Sequence, residues 1–309
     1  MLTGVHILLS YTCLYQCDHC FLHCSPGSQG TFTLAQLTRL LDQAAELTTV
    51  RRISIEGGEP FLFYPTMLRG IEYAHKLGFE VEVISNGYWA QDSEDAKVWL
   101  EPLVQAGLTI LNVSDDEFHH GDATPSPAKA ALQAAQELQM QNHAFRIDPP
   151  CVTEASAQGR EKGAPIVGGD VRFRGRAVDK LTGGLPLTDW QSFGQCPDED
   201  FAAPGRVHID ALGFVHLCQG ICIGNVWERP LTEIMAAYVP EEHPICGPLL
   251  RGGPAALAQE HGLDREHGLD REHGFAQGYV DACHLCYLTR KALRASFPEQ
   301  LAPPQTYGE

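Results

Sequence analysis

Between residues 5 and 147, short apolar runs alternate with stretches of helical periodicity, a pattern that constrains a chain to a parallel sheet flanked by helices. Val5–Leu9, Arg52–Ile55, Glu80–Ile84, Thr109–Val113 and His143–Ile147 predict strands, and Val171–Phe173 predicts a sixth. Thr33–Leu47, Tyr64–Leu77, Ser93–Ala106 and Pro127–Gln141 predict helices, the first behind a Thr start signal. The expected fold class is α/β, a partial (β/α)6 TIM-type barrel. Barrels of this kind place their chemistry where strands end, and there the polar motifs of this chain gather.

The 309 residues can bury a sizeable core. Their 22 basic and 39 acidic residues leave a formal charge of −17, which repels phosphate backbones and anionic lipid. Neither nucleic acid nor a membrane is therefore expected as a partner. The N-terminus has no basic region followed by a cleavage site, and no apolar run nears the roughly 20 residues of a membrane-spanning helix. A cytoplasmic location is the expectation. In that reducing compartment eleven cysteines point to metal or redox chemistry rather than disulfides.

The character changes near residue 188, so residues 1–187 are read as the core domain and 188–309 as a small α+β appendage. Val207–Asp210 and Phe214–Leu217 flank Ala-Leu-Gly as a hairpin, and Leu231–Tyr238 reads as a short helix. Residues 260–274 run through Glu-His-Gly-Leu-Asp-Arg twice and then Glu-His-Gly. A six-residue period is too short for the usual solenoid units. The segment 258–276 is read as an exposed linker. His261, His267 and His273 within it could bind a metal, though solvated linker residues would look the same.

Cys13-Leu-Tyr-Gln-Cys17-Asp-His-Cys20 follows the first strand. Three thiolates on one short loop can hold three irons of a cubane and leave the fourth open. A zinc site closed by Cys24 is the alternative that spacing alone leaves standing. Further motifs follow in order: Gly57-Gly58-Glu59-Pro60 after the second strand, Ser85-Asn86-Gly87 after the third, Ser114-Asp115-Asp116 after the fourth, and Arg174-Gly175-Arg176 after the last. With the cysteine loop, this series resembles the radical S-adenosylmethionine (SAM) superfamily over at least residues 5–185.

The resemblance implies a [4Fe–4S] cluster on Cys13, Cys17 and Cys20 that chelates SAM through its open iron. It implies that His19 packs on the adenine in place of the usual aromatic ring. Gly57, Gly58, Glu59 and Pro60 would approach SAM, with the Glu59 carboxylate on the ammonium. Asn86 stands where the family has Thr-Asn-Gly, Ser114 and Asp116 where it holds the ribose hydroxyls, and Arg176 where an arginine often faces the methionine carboxylate. A flavodoxin- or ferredoxin-type donor would reduce the cluster. SAM would then break homolytically to methionine and a 5′-deoxyadenosyl radical, which abstracts hydrogen from the substrate.

Cys196, Cys218 within Gly-x4-Cys, and Cys283-His-Leu-Cys286 resemble the twitch form of the SPASM/twitch extension, which binds a second, auxiliary [4Fe–4S] cluster. A structural zinc site is the alternative, and Cys222 could replace Cys218. Cys151 is the residual thiol best placed to donate a hydrogen atom to a substrate radical. Asp115, Glu117, His119 and His120 could bind substrate or move a proton.

Three functions compete: oxidation or rearrangement of a small metabolite, modification of a ribosomally made peptide, and a non-catalytic iron–sulfur or zinc protein. The intact SAM motifs disfavour the last. The cysteine loop begins by residue 13, without room before it for a leader-binding domain, so a small substrate is the expectation over a peptide.

Overall fold

The computed structural model describes all residues except 122, 124, 157–160 and 264–277. In chain order the elements are β1 (Gly4–Ser10), α1 (Leu34–Glu46), β2 (Arg52–Gly57), α2 (Tyr64–Lys76), β3 (Glu80–Ser85), α3 (Ser93–Gln105), β4 (Leu108–Ser114), α4 (Glu117–His120), α5 (Pro127–Glu137) and β5 (Gln141–Phe145). There follow β6 (Cys151–Glu154), β7 (Pro165–Gly168), α6 (Arg176–Leu181), β8 (Arg206–Asp210), β9 (Phe214–Cys218), β10 (Ile221–Asn225), α7 (Leu231–Ala237), α8 (Cys246–Glu260) and α9 (Ala282–Leu293). The chain divides into two compact units. Unit 1 is Met1–Cys17, Cys24–Arg146 and Ala203–Tyr238; unit 2 is Asp18–His23, Ile147–Ala202 and Val239–Glu309.

Unit 1 is built on one sheet of order β10-β9-β8-β1-β2-β3-β4-β5. Strands β8 and β1 to β5 run parallel, while β9 and β10 add an antiparallel meander. The mixed α/β sheet with its parallel strands is consistent with a partial TIM-type barrel. Two expectations change. Val171–Phe173 forms no strand; Val171 and Phe173 are buried around an exposed Arg172, an alternation that mimics a strand without a neighbour to pair with. The sixth parallel strand is instead β8, which lies beside β1. For the same reason the units do not follow a boundary at residue 187: the predicted Val207–Leu217 hairpin forms, but inside the sheet of unit 1.

Alternation along the strands gives the sheet two unlike faces. Val5, Ile7, Ile53, Ile55, Val81, Val83, Leu111 and Val113 are fully buried on one. There Gly70 of α2 lies against Ile55 and Leu37, so α1 and α2 cover this side. The other face is polar: register sets His6 beside His208 and Ser54, with Glu56, Glu82 and Asn112 on the same side. Ser54 and Asn112 both donate to Glu82 within this face. The helices begin where sequence chemistry directs. Thr33 closes a full capping box with Gln36 at the start of α1, and Asp92 caps α3 through Asp95 N at 2.8 Å.

Unit 2 contains the β6–β7 antiparallel pair and the long helices α8 and α9. Ala258, Tyr279 and Leu285 form a buried cluster with Trp190, Phe193 and Leu288 packed on it. The expected linker at 258–276 is corrected at its start: α8 continues to Glu260, and His261 Nε2 donates to Pro244 O at 2.9 Å, its ring against Phe297. The remainder, with His267 and His273, lies outside the described residues. Among the described residues no helix is long and apolar enough to cross a membrane.

Candidate functional site

The end of β1 and the turn after β2 are held against each other. Gly57 pairs with Ser10, Gly58 N donates to Ser10 O at 2.6 Å, and Glu59 N donates to Thr12 O at 3.0 Å. The approach is close enough to require glycine: a Cβ on Gly58 would stand 2.1 Å from Thr12 O. The turn therefore docks on the backbone leading straight into Cys13. Pro60 then starts the 3-10 turn Pro60–Phe63, where its missing N–H costs nothing.

Glu59 is fully buried and its carboxylate is fixed from three sides. Phe61 N (3.0 Å) and Ser85 Oγ (2.9 Å) donate to Oε1, and Asn86 N (2.8 Å) donates to Oε2. Burial raises its pKa to about 7, although those hydrogen bonds and His119 act in the opposite direction. Asn86 links this carboxylate to the cysteine loop: its Nδ2 lies 3.7 Å from Cys13 Sγ, and its Oδ1 accepts from Tyr88 N. Cys13 is buried, and Cys17 and Cys20 are partly exposed.

The sequence marked Ser85 only as part of its Ser-Asn-Gly motif and did not single out Trp89 or Tyr15. Ser85 Oγ also accepts from Trp89 Nε1 at 3.0 Å, and Trp89 stacks on Phe61 at 4.2 Å between ring centroids, so an aromatic wall backs the Glu59 turn. Tyr15, inside the cysteine motif, has its pKa raised by burial and then by Cys17, Glu59 and Cys13. Its ring meets His119 and His120 edge-on at 6.4 and 6.3 Å. An aromatic residue between two motif cysteines was the available signal.

After β4, Ser114 O engages His120 Nε2 at 2.9 Å, while Asp116 caps α4 and holds His119 Nδ1 at 2.7 Å. Asp115 receives Ser126 Oγ and Arg146, and Glu117 is exposed in α4. These residues thus form one hydrogen-bonded corner beside Tyr15.

In unit 2, His19 is partly exposed within Asp18–His23. Arg176 N donates to Cys20 O at 3.0 Å, and a Cβ on Gly175 (φ 60°) would stand 2.4 Å from Phe21 Cα. Arg174 lies over the Phe21 ring at 4.9 Å. The Arg-Gly-Arg edge is therefore seated on the end of the cysteine motif. Cys283 and Cys286 occupy the first turns of α9, one turn apart on one side, where the helix N-terminus favours thiolates. Cys283 Sγ donates to Asp198 Oδ2 at 3.3 Å, and Cys196 lies two residues before Asp198. Cys218 ends β9 in unit 1. Cys222 is engaged elsewhere: its sulfur is 3.3 Å from His216 Nδ1, in a buried chain through Asp210 to Tyr11. Cys151 begins β6 with its side chain exposed, which denies it the shielding that a hydrogen-atom donor to a radical needs.

The Radical SAM superfamily model matches residues 7–148. YydG of Bacillus subtilis (strain 168), named for peptide biosynthesis, is 27% identical over 133 residues, 43% of this chain and 42% of its own. An S-adenosylmethionine-dependent nucleotide dehydratase of Fibrobacter sp. (strain UWH6) is 25% identical over 118 residues, 36% of this chain and 33% of its own. The chain thus spans less than half the length of these curated relatives. Among solved structures, anSMEcpe with bound AdoMet aligns over 97% of this chain and 98% of its own, at 13% identity and a TM-score of 0.49. The stretch that matches the Radical SAM superfamily model thus runs from β1 through β5 and contains the cysteine loop, the Gly-Gly-Glu-Pro turn and the residues after β4.

Proposed function

We propose that the chain is a radical SAM enzyme in which Cys13, Cys17 and Cys20 hold the cluster. Glu59, with the backbone of Gly57, Gly58 and Pro60, receives the SAM ammonium; Asn86 steadies both Glu59 and the Cys13 sulfur. Ser114 and Asp116 take the ribose, His19 the adenine and Arg176 the methionine carboxylate. When bound, the cluster and SAM supply one-electron reductive cleavage and a 5′-deoxyadenosyl radical for hydrogen abstraction, with the electron from a flavodoxin- or ferredoxin-type donor. The residues' own part is to bind, orient and exclude water.

The observation that carries this reading is the buried Glu59 carboxylate. Three donors fill three of its roughly four acceptor positions, and burial leaves its charge uncompensated. A cation in the fourth position relieves that cost, and SAM brings an ammonium. Three thiols, one receiving an amide N–H, suit the cluster equally.

For the substrate, a ribosomally made peptide takes first place ahead of the small metabolite expected from the sequence, because the YydG match carries the higher identity. Oxidation or rearrangement of a small molecule is the second reading, favoured by the nucleotide dehydratase match. Cys196, Cys218, Cys283 and Cys286 are proposed to hold an auxiliary cluster of the twitch type; the engagement of Cys222 with His216 supports Cys218 as the ligand.

The test is anaerobic reconstitution with iron, sulfide and dithionite. The wild type should release 5′-deoxyadenosine and methionine slowly without substrate, and Cys17→Ala should not, since a second iron loses its ligand. Undiminished cleavage in the variant overturns the assignment. Co-expression with short peptides encoded beside the gene, followed by mass spectrometry, decides the substrate class. A mass change supports the peptide reading, and its absence with all of them favours the small molecule.

A further inference from the structure

We propose that His6, Glu56 and His208 form a mononuclear site for a divalent transition-metal ion on the polar face of the sheet, separate from the cysteine-bound cluster. The three residues stand on three adjacent strands, β1, β2 and β8. Register pairs His6 with His208 across β1–β8, and Leu8 with Glu56 across β1–β2. Because residues i and i+2 share a face, all three side chains project to the same side.

Their donor atoms converge. His6 Nδ1 is 3.2 Å and His208 Nε2 is 3.3 Å from the same Glu56 oxygen, Oε1. The three ligand atoms all lie within 4.8 Å of one another. Bonds of about 2.0–2.2 Å to one ion put tetrahedral donors roughly 3.3–3.6 Å apart and octahedral neighbours roughly 2.8–3.1 Å apart. The observed separations fall across that span. The 3.2 Å between His6 and Glu56 is also a hydrogen bond, which coordination of both groups to one ion would replace.

The protonation states suit ligation. Burial lowers the pKa of His208 to about 3, despite the opposing pull of Glu56, so the ring is neutral. For Glu56 burial acts upward, but the hydrogen bond to His6 and the Arg206 charge act downward, leaving the carboxyl below its ordinary value. Neutral imidazole and carboxylate are the forms that bind metal. Arg206 is the nearby cation that opposes an ion here, and it is exposed to solvent, where its field is screened. His208 Nδ1 is buried without a hydrogen-bond partner, so the ring's polar engagement is through Nε2 at Glu56.

Two imidazoles and one carboxylate are a ligand set of zinc and of non-haem iron sites that keep open positions. The side chains of His6 and Glu56 remain 20% and 16% exposed, so the ion's remaining positions would face the space over the polar sheet face. Water or an oxygen donor of a substrate would fill them.

Mn2+ serves as the probe, since it prefers these donors to thiolates. Desalted, cluster-loaded protein titrated anaerobically should bind one Mn2+ per chain, read from loss of the free-ion EPR signal. Pulsed EPR should show imidazole nitrogen coupling. Glu56→Gln, which keeps the shape, should weaken binding about tenfold or more, and His208→Gln should remove one nitrogen coupling. Circular dichroism and cluster absorbance report folding in each variant. If His208→Gln misfolds, Glu56→Gln decides. The proposal fails if the wild type takes up neither Mn2+ nor Zn2+ beyond its iron at millimolar ion. It also fails if folded Glu56→Gln binds as tightly as wild type, or if nitrogen coupling persists in a folded His6→Gln/His208→Gln double variant, which would assign the ion to other histidines. None of these readouts needs SAM cleavage, so the outcome is independent of the radical SAM reading.

Discussion

Glu59→Gln separates a role in SAM binding from a role in the fold. In the wild type Oε1 accepts from Phe61 N and Ser85 Oγ, and Oε2 accepts from Asn86 N. The remaining position on Oε2 is where the ammonium is proposed to bind. A glutamine keeps the first two bonds but turns an NH2 toward Asn86 N–H and toward the ammonium. Loss of a hydrogen bond between charged partners costs about 1.5–3 kcal/mol, so SAM affinity should fall about ten- to a hundred-fold. Stability should hardly move, because two effects oppose each other. A carboxyl raised from 4.5 to about 7 carries a cost of roughly 3 kcal/mol when ionised, which the amide removes. An N–H left without its acceptor restores about 1–3 kcal/mol of it.

The sign with pH follows. The folded-state value lies above the unfolded one, so SAM-free wild type should lose stability as pH rises from about 4.5 to about 7. A proton on Glu59 competes with the ammonium, so wild-type affinity for SAM should weaken about tenfold from pH 8 to pH 6. The glutamine variant should lose both dependences. Anaerobic equilibrium dialysis at pH 6, 7 and 8, with cluster absorbance as a control, measures this. Binding within about twofold of wild type, or an unchanged pH slope, would refute the reasoning.

Gly58→Ala should push the turn off Thr12, whose carbonyl a Cβ would meet at 2.1 Å, costing roughly 1–3 kcal/mol and lowering cluster occupancy; an unchanged melting temperature and iron content would contradict it. With the auxiliary cluster, wild type should hold about eight irons and the Cys13/Cys17/Cys20 triple alanine variant about four. One zinc and no residual iron in that variant would assign the second cysteine set to zinc. Deleting residues 266–271, one Glu-His-Gly-Leu-Asp-Arg unit, shortens a connection whose closure entropy changes slowly with length. Iron content and SAM cleavage should stay near wild type, and an iron assay showing loss of the second cluster would count against a tether.

Much of unit 1 was legible in the sequence because local signals and tertiary placement agree there. Thr33 caps the helix that it announces, and each predicted strand from Val5 to Val113 lies within an observed one. The cysteine and Gly-Gly-Glu-Pro motifs fall at strand ends and are bonded to each other through Ser10, Thr12 and Asn86. What escaped was partner choice. Val171–Phe173 carries a strand's alternation over three residues, too few to distinguish a strand from a loop that buries two side chains. Val207–Asp210 reads as a hairpin strand, but nothing local says that its second neighbour is β1. For the same reason nothing in the sequence joins His6 to His208; only the register brings them together.

The pairing of β8 with β1 has a kinetic consequence. Gly4 meets Arg52 on one side and Arg206 on the other, so one neighbour of β1 lies about four times farther along the chain than the other. In loop-closure entropy the difference is small, about 1.2 kcal/mol for two doublings of length. In time it is large: at about 5–20 residues per second, β8 leaves the ribosome roughly 10–40 s after β1. Until then β1 presents an open, largely apolar edge to which another nascent chain could add. Folding of unit 1 should therefore be a slow, late event dominated by this non-local contact. The strand that completes the parallel part of the sheet also delivers His208, so the proposed metal site cannot exist until that last parallel strand is in place.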